Sequence, residues 1–447
     1  MRLNPRVVIL GAGESGVGAA LLAKSKGLGV FVSDSGKIRA DYRQTLESEK
    51  IEFEEGKHSV ERILDATEII KSPGIPDSAP LVVSAKEKGI RVISEIEFAS
   101  RYTKATKICI TGSNGKTTTT MLTWHILKSA GLDVGLAGNV GKSFAGQLAE
   151  KDHDYFVIEL SSFQLDGMFD FKAEIGILLN ITPDHLDRYD HDFEKYAESK
   201  MRILRNQTEN DAIIWCSDDE TIARLMQNKQ LKQQSYQISI KQKIENGAYA
   251  DNHKIVFNLK GGTFDMTLEE LALQGKHNIY NSMAAGLASR LVDLRKESIK
   301  QCLSDFENVE HRLEFVANIH GIEFINDSKA TNINSVWYAL ETLNKKVIWI
   351  AGGIDKGNDY TKLFNLVKEK VKAIICLGID NEKLIDAFKD KVEYISETSS
   401  AEEAVNLAYY LARKGDTVLL SPACASFDLF ENFEERGRKF KEAVNAL

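Results

Sequence analysis

The run Thr111-Gly112-Ser113-Asn114-Gly115-Lys116-Thr117-Thr118 follows the apolar stretch Lys107-Ile108-Cys109-Ile110 and precedes a segment patterned as a helix through Met121 to Ser129. Small residues let backbone N–H groups converge on anionic oxygens at a helix N-terminus, a lysine adds charge, and a hydroxyl can reach Mg²⁺. Gly112, Gly115, Lys116 and Thr117 supply these parts, with Ser113, Asn114 and Thr118 completing the loop. The full phosphate-loop pattern also places a glycine five positions before Gly115, where this chain has Ile110. A glycine-rich turn beside a surface lysine is the plain alternative; the strand before the loop and the threonine-rich helix start after it favour a nucleoside triphosphate.

Two more polar stretches close apolar strands, Phe156-Val157-Ile158-Glu159-Leu160-Ser161-Ser162-Phe163-Gln164 and Ile177-Leu178-Leu179-Asn180-Ile181-Thr182-Pro183-Asp184-His185. Strand C-termini line the ligand crevice of a parallel sheet. Glu159 is thereby placed to join the Thr117 hydroxyl and phosphate oxygens around Mg²⁺, a hard ion that prefers oxygen. His185 can meet the same metal or a reacting carboxylate. Each has a plainer reading, a strand-end surface charge for Glu159 and a turn residue capping the next helix for His185. The acidic run Asp184, Asp187, Asp190 and Asp192, with His185 and His191, reads mainly as a solvated loop and helix start.

These residues need rigid elements behind them, and three segments offer the same one: a short β-branched strand feeding a glycine-rich turn. They are Arg6–Leu10 into Gly11-Ala12-Gly13-Glu14-Ser15-Gly16, Lys107–Ile110 into the loop above, and Lys346–Ile350 into Ala351-Gly352-Gly353-Ile354-Asp355-Lys356-Gly357. After the first, a helix is expected over Val17 to Lys26 and a second strand over Gly29 to Asp34. The expectation is an α/β protein of three domains: a Rossmann-like domain over 1–102, a central P-loop ATPase-like domain over 103–309 and a C-terminal Rossmann-like domain over 310–447. The length of 447 residues suits three domains of roughly 150 residues each.

Net charge of −8 sets nucleic acid and anionic membrane surfaces aside as partners, so phosphate recognition must be local. The five cysteines form no CxxC pair, which argues against a disulfide framework or structural zinc and suits a reducing cytoplasm. The apolar run near the N-terminus is too short for a signal peptide, and a cytoplasmic location is expected.

Gly11-x-Gly13-x-x-Gly16 with Asp34 beyond it is also a fair dinucleotide fingerprint, so on that segment alone an NAD-dependent dehydrogenase is a rival. Hydride transfer would leave the Gly112 loop, Glu159, His185 and the third segment unexplained. A nucleotide-gated binding protein without turnover is the third reading.

Thr111 to Thr117, Glu159-x-Ser161-Ser162-Phe163-Gln164-Leu165, Asn180-x-Thr182-x-Asp184-His185-Leu186-Asp187-Arg188-Tyr189 and the lysine of Ser199-Lys200-Met201 together resemble the central domain of the Mur ligases, relatives of the folylpolyglutamate synthases. The resemblance implies an ATP-dependent amide ligase using Mg²⁺, as two ions, with catalytic Lys116, Glu159, His185 and Lys200. It implies that Lys200 is carbamylated, which turns an ammonium into a carboxylate-like metal ligand beside Thr117, Glu159 and His185; otherwise Lys200 reads as a plain helix lysine. Asn278 or Asn281 would lie by the adenine. Arg312 and Asp327 would reach the nucleotide from the third domain, with domain closure completing the site. The first domain would hold the UDP of a sugar substrate through Ser15, Asp34, Ser35 and Gly74, with Asn139 facing the same molecule.

The third domain's motifs, Ile325 to Asn332, Gly352-Gly353, Leu420 to Asp428 and Asn432-Phe433-Glu434-x-Arg436-Gly437, resemble the branch of the family that joins D-glutamate to UDP-N-acetylmuramoyl-L-alanine. That likeness implies Thr331 and Lys356 on the α-carboxylate of D-glutamate, and the Ser426 hydroxyl and Phe433 N–H on its side-chain carboxylate. The Asp-Asn-Pro-Arg element of ligases that add a third residue is absent from this domain; Asn4-Pro5-Arg6 stands at the wrong end. Asp355 departs from the family pattern and receives no role. A monomer is expected.

Overall fold

A computed structural model describes residues 6–227, 229–306 and 310–447. Asn4 and Pro5 lie outside the described residues, as does the expected boundary at 309. The chain divides into two compact units, Met1–Phe306 and Glu307–Leu447.

The first unit opens with β1 (Arg6–Leu10), β2 (Gly29–Ser33), β3 (Glu52–Glu54), β4 (Glu68–Lys71) and β5 (Arg91–Ile93). They pair in parallel in the order β3-β2-β1-β4-β5. Val8, Leu10, Phe31 and Ile69 bury on this sheet with Val82 and Ala85, as expected for parallel strands covered by helices. The strand order reverses beside β1, so its C-terminal turn becomes the crevice. The helix from that turn spans Glu14–Ser25, three residues earlier than the pattern alone suggested. Gly16 permits its approach: a Cβ there would stand 1.9 Å from the Gly11 carbonyl oxygen.

The second sheet comprises β6 (Thr106–Thr111), β7 (Val134–Gly138), β8 (Tyr155–Glu159), β9 (Ile175–Leu178), β10 (Ala212–Cys216), β11 (Gln234–Ser239), β12 (Gly247–Ala250), β13 (Lys254–Leu259) and β14 (Gly262–Thr267). Their order is β14-β13-β12-β11-β10-β9-β6-β8-β7, antiparallel only where β13 pairs with β12 and β14. β6 lies between β8 and β9, again at a reversal of strand order, and its C-terminus carries the Gly112 loop. The helix after the loop spans Lys116–Ser129 and packs against Lys276–Leu291, whose Ala284, Ala285 and Ala288 are buried.

The two sheets of this unit meet through helices Glu14–Ser25 and Phe144–Glu150. The Ser143 N–H donates to Glu14 at 3.0 Å, and the Ala145 N–H donates to Glu95, a carboxyl 3% exposed. Burial pushes Glu95 up to about 8, against the Ala145 hydrogen bond. The folded protein thus keeps a proton that the unfolded chain releases near 4.5, so stability is full below that pH and is lost as pH rises to about 8. Glu95→Gln is expected to flatten this part of the profile, by at most on the order of 5 kcal/mol. Urea unfolding at both ends of the window checks it; equal slopes in parent and variant would refute the assignment.

The second unit contains β15 (Glu314–Ile319), β16 (Ile322–Asn326), β17 (Val347–Gly352), β18 (Val371–Leu377), β19 (Tyr394–Thr398) and β20 (Thr417–Ala423), in the order β15-β16-β20-β17-β18-β19. Only β15 runs antiparallel to its neighbour. Trp349, Leu419 and Ile374 face one buried layer; Ile348, Val418 and Ile375 face the other. The C-terminal ends of β16, β17 and β20 are adjacent, which gathers Thr331, Lys356 and Ser426 toward one edge.

Candidate active site

Gly115 caps the helix Lys116–Ser129 with φ +82°, a left-handed conformation that glycine adopts without strain, and a Cβ would stand 2.6 Å from Asn281 Oδ1. The Thr119 N–H closes the first turn on the Gly115 carbonyl at 3.0 Å, so the N-terminal end of this helix, the end suited to an anion, stands at the loop. Asn180 braces the loop. Its Oδ1 accepts from the Asn114 N–H at 2.8 Å and its Nδ2 donates to the Asn114 carbonyl at 3.0 Å. Ser113 Oγ donates to the Thr182 carbonyl at 2.8 Å and meets the Tyr196 hydroxyl at 2.9 Å.

Two lysines converge on one oxygen of this loop. Lys116 Nζ and Lys200 Nζ each donate to the Gly112 carbonyl at 2.8 Å. Lys200 is 2% exposed, and burial followed by repulsion from Lys116 drives its ammonium well below the usual lysine range, despite Asp184, Asp166 and Glu159 nearby. Burial and repulsion thereby favour the neutral, nucleophilic form of this amine over the ammonium.

Glu159, at the C-terminus of β8 opposite Ile110 of β6, is 1% exposed, as is Thr117. Asn139 Nδ2 donates to Glu159 Oε1 at 2.9 Å, so Asn139, expected on the sugar substrate, here orients a carboxylate. A buried hydroxyl and a buried carboxylate at the loop are the oxygen donors a hard dication selects, so the donor set fits Mg²⁺.

His185 takes φ +51° and is partly exposed, with Asp184 Oδ2 at 3.7 Å. Its ring meets Phe163 edge-on at 5.4 Å, while the Arg188 guanidinium lies 4.3 Å above Phe163 and Tyr189 stacks on it. Phe163 lies within the Ser161–Gln164 capping box, so the Glu159 and Asn180 motifs are two halves of one contact. Asp192 caps Phe193–Met201, the helix that carries Lys200, as the reading of the acidic run expected.

Arg188 also donates to the Pro73 and Gly74 carbonyls at 3.3 and 3.2 Å, joining the His185 turn to the first sheet. There Asp34 accepts from the Ala12 and Gly36 N–H groups at 2.7 and 2.8 Å, Ser15 and Ser72 hydroxyls lie 3.5 Å apart, and Ser35 is exposed. A cleft lined by Ser15, Lys71, Pro73, Phe163 and Gln164 connects the two sheets. Asn281 Oδ1 accepts from Thr119 at 3.1 Å and its Nδ2 donates to Asn278, which places both asparagines at the loop helix.

In the second unit, the Asp327 carboxyl accepts from Ser421 Oγ at 2.9 Å and the Leu313 N–H at 3.2 Å. Burial pushes it up to about 7, partly offset by Ser421 and by Arg312. Phe433 opens the helix Phe433–Asn445, with Asn432 as its cap, so its N–H belongs to a helix N-terminus suited to a carboxylate. Asp355, given no role by sequence, accepts from the Gly357 and Asn358 N–H groups and from the Tyr360 hydroxyl, forming the turn that presents Lys356. Arg436, 1% exposed, lies in the Asn432–Gly437 motif, where its sequence position alone assigns it no task. It donates to Ser328 Oγ and O and to the Gly352 and Cys424 carbonyls, joining the chain ends that carry Thr331, Lys356 and Ser426.

Residues 5–94 match the Mur ligase MurD-like N-terminal domain, residues 110–289 the Mur ligase middle domain, and residues 311–424 the Mur ligase glutamate ligase domain. Proteins named UDP-N-acetylmuramoylalanine--D-glutamate ligase are 55% identical in Christiangramia forsetii, over 100% of both chains, and 56% identical in Porphyromonas gingivalis, over 99% of both. The chain belongs to the Mur ligase family. Among solved folds, a UDP-N-acetylmuramate-alanine ligase from Thermotoga maritima is similar at a TM-score of 0.63 and 19% identity, over 99% of each chain. A pseudomurein peptide ligase type C from Methanothermus fervidus reaches 0.62 at 22% identity, over 99% of this chain and 100% of its own. The three-domain α/β architecture is therefore that of the family. Among the described residues no helix is long and apolar enough to cross a membrane.

Proposed function

We propose that this chain is the ATP-dependent ligase that joins D-glutamate to UDP-N-acetylmuramoyl-L-alanine in peptidoglycan precursor synthesis. The observation that carries the reading is the pair of lysine amines on the Gly112 carbonyl, beside a buried Glu159, at the end of the central strand. The lactoyl-alanine carboxylate attacks the γ-phosphorus of ATP, ADP leaves, and an acyl phosphate forms. The D-glutamate amine then attacks that carbonyl, phosphate leaves, and the amine's surplus proton passes to solvent or a base. Lys116 and the helix amides offset charge on the transferring phosphoryl group, and orientation supplies the rest. Thr117, Glu159, His185 and Lys200 would hold Mg²⁺, which neutralises phosphate charge when bound. Phosphate release that requires both substrates tests the proposal. Nucleotide binding without turnover, or a nicotinamide absorbance change, would overturn it.

Lys200 is proposed to be carbamylated, since burial favours the uncharged amine that takes up CO₂, and the product is an oxygen ligand where an ammonium would repel a cation. Lys200→Ala is expected to lose about 10²-fold or more in rate and to regain part of it with a short-chain carboxylic acid. Absence of any rescue, with an unmodified mass for the Lys200 peptide under CO₂ trapping conditions, would sink the idea.

D-Glutamate is a dianion, and desolvating both carboxylates calls for donors at both ends. Thr331 and Lys356 are assigned to the α-carboxylate, Ser426 and the Phe433 N–H to the other, with the Arg436 cation behind them. Lys356→Ala and Ser426→Ala are each expected to raise KM for D-glutamate by about tenfold or more and to leave KM for ATP nearly unchanged. Steady-state kinetics with each substrate varied decides; the opposite pattern would move the pocket elsewhere.

A further inference from the structure

A second group of donors converges away from the phosphate loop. His125 lies near the end of helix Lys116–Ser129, while Cys302 and Asp305 occupy one face of helix Lys296–Asp305 at i, i+3 spacing, and these helices pack together. The His125 ring nitrogen, the Cys302 sulfur and an Asp305 carboxylate oxygen all lie within 4.8 Å of one another. His125 Nε2 stands 3.2 Å from Asp305 Oδ1. Two ligands about 2.0–2.1 Å from one tetrahedral ion are themselves about 3.3 Å apart, so this edge is already set. A His–Asp contact explains that distance alone; it gives no reason for a thiol to meet the same point.

We propose that His125, Cys302 and Asp305 form a binding site for a borderline transition-metal dication of the zinc and cobalt class. One soft sulfur, one imidazole nitrogen and one carboxylate oxygen suit such ions, whereas Mg²⁺ selects oxygen alone. Cys302 is buried and Asp305 exposed, so the protein supplies three ligands from one side and water reaches the fourth position. Phe306 covers the imidazole edge-on at 5.4 Å, and the Ser129 hydroxyl lies against the thiol. Binding converts the thiol to a thiolate and releases its proton to solvent, so affinity rises with pH. Nothing in the ligase reading requires this site: its three residues lie outside the groups assigned to ATP, the sugar nucleotide and D-glutamate.

Cobalt(II) titrated into the chelator-treated full-length protein is the probe. A thiolate-to-cobalt charge-transfer band in the near ultraviolet, with visible bands of tetrahedral intensity, is expected to saturate at one ion per chain. Co²⁺ taken up at the oxygen ligands of the phosphate loop gives no sulfur band. Cys302→Ser should abolish that band, and Asp305→Asn, an exposed change that leaves the fold intact, should weaken binding by at least about tenfold. Zinc should bleach the spectrum by competition. Absence of the sulfur band in the parent, or its persistence in Cys302→Ser, would overturn the proposal, as would unchanged affinity in Asp305→Asn.

Discussion

Lys116→Ala is expected to lower kcat by about a hundredfold or more while leaving the unfolding midpoint close to that of the parent protein. Lys116 spends its side chain on two loop carbonyls, Gly112 at 2.8 Å and Ser113 at 2.8 Å, and packs no core, so its loss removes little cohesion. In the reaction its charge would face oxygens whose negative charge shifts during transfer. The loss belongs in kcat more than in KM for ATP, because the helix amides and the proposed adenine contacts remain. Lys116→Arg is no remedy: a planar fork cannot occupy the place of a compact ammonium between two carbonyls. Phosphate release measured at saturating substrates, beside a thermal unfolding curve, separates the outcomes. A variant retaining a third of the parent's rate would remove Lys116 from the mechanism.

Arg436→Ala is expected to destabilise the protein by on the order of 3 kcal/mol, through loss of charged hydrogen bonds to acceptors that water cannot reach. Arg436 donates from Nε to Ser328 Oγ at 3.0 Å, from one terminal nitrogen to the Ser328 carbonyl at 2.9 Å, and from the other to the Cys424 and Gly352 carbonyls at 3.3 and 3.4 Å. Burial pulls the guanidinium down to about 10, with Cys424 and Asp428 nearby opposing the fall, so it remains a cation at neutral pH. Its removal unties β16, β17 and β20 at the edge where D-glutamate is proposed to bind, so KM for D-glutamate should rise together with the loss of stability. For a unit of this size, the midpoint should fall by roughly 10 °C. Arg436→Lys should recover only part, because one ammonium cannot serve three chain segments. Calorimetry on both variants checks the order; a midpoint within a degree of the parent for Arg436→Ala would show that the hub carries no stability.

Much of the candidate site was legible along the chain because consecutive residues carry it. Gly112 to Thr118 spell the proposed phosphate loop through local rules: a strand, left-handed glycine, a helix start and a lysine in its first turn. The parallel α/β elements were equally legible, since β-branched runs such as Val7 to Leu10 and Val347 to Ile350 can only bury on both faces. Their ends shifted by a few residues: the Gly29 strand stops at Ser33, and the loop helix begins at Lys116. Capping and sheet register set those limits, and the sequence pattern does not carry them.

What only the tertiary structure decided is the set of contacts between residues distant in sequence. Lys200 looks like any helix lysine until Gly112, 88 positions away, places a carbonyl against it and Lys116 adds a second amine. Asn139, expected on the sugar substrate, also turns onto Glu159, a contact that no local pattern announces, and Asp355 reads as idle until it holds the Lys356 turn. The sulfur, nitrogen and oxygen of Cys302, His125 and Asp305 become one site only because two helices pack. Sequence determines which groups are available and how each local turn forms. Burial, desolvation and charge repulsion depend on neighbours that folding brings together, and those forces set the state in which each group works.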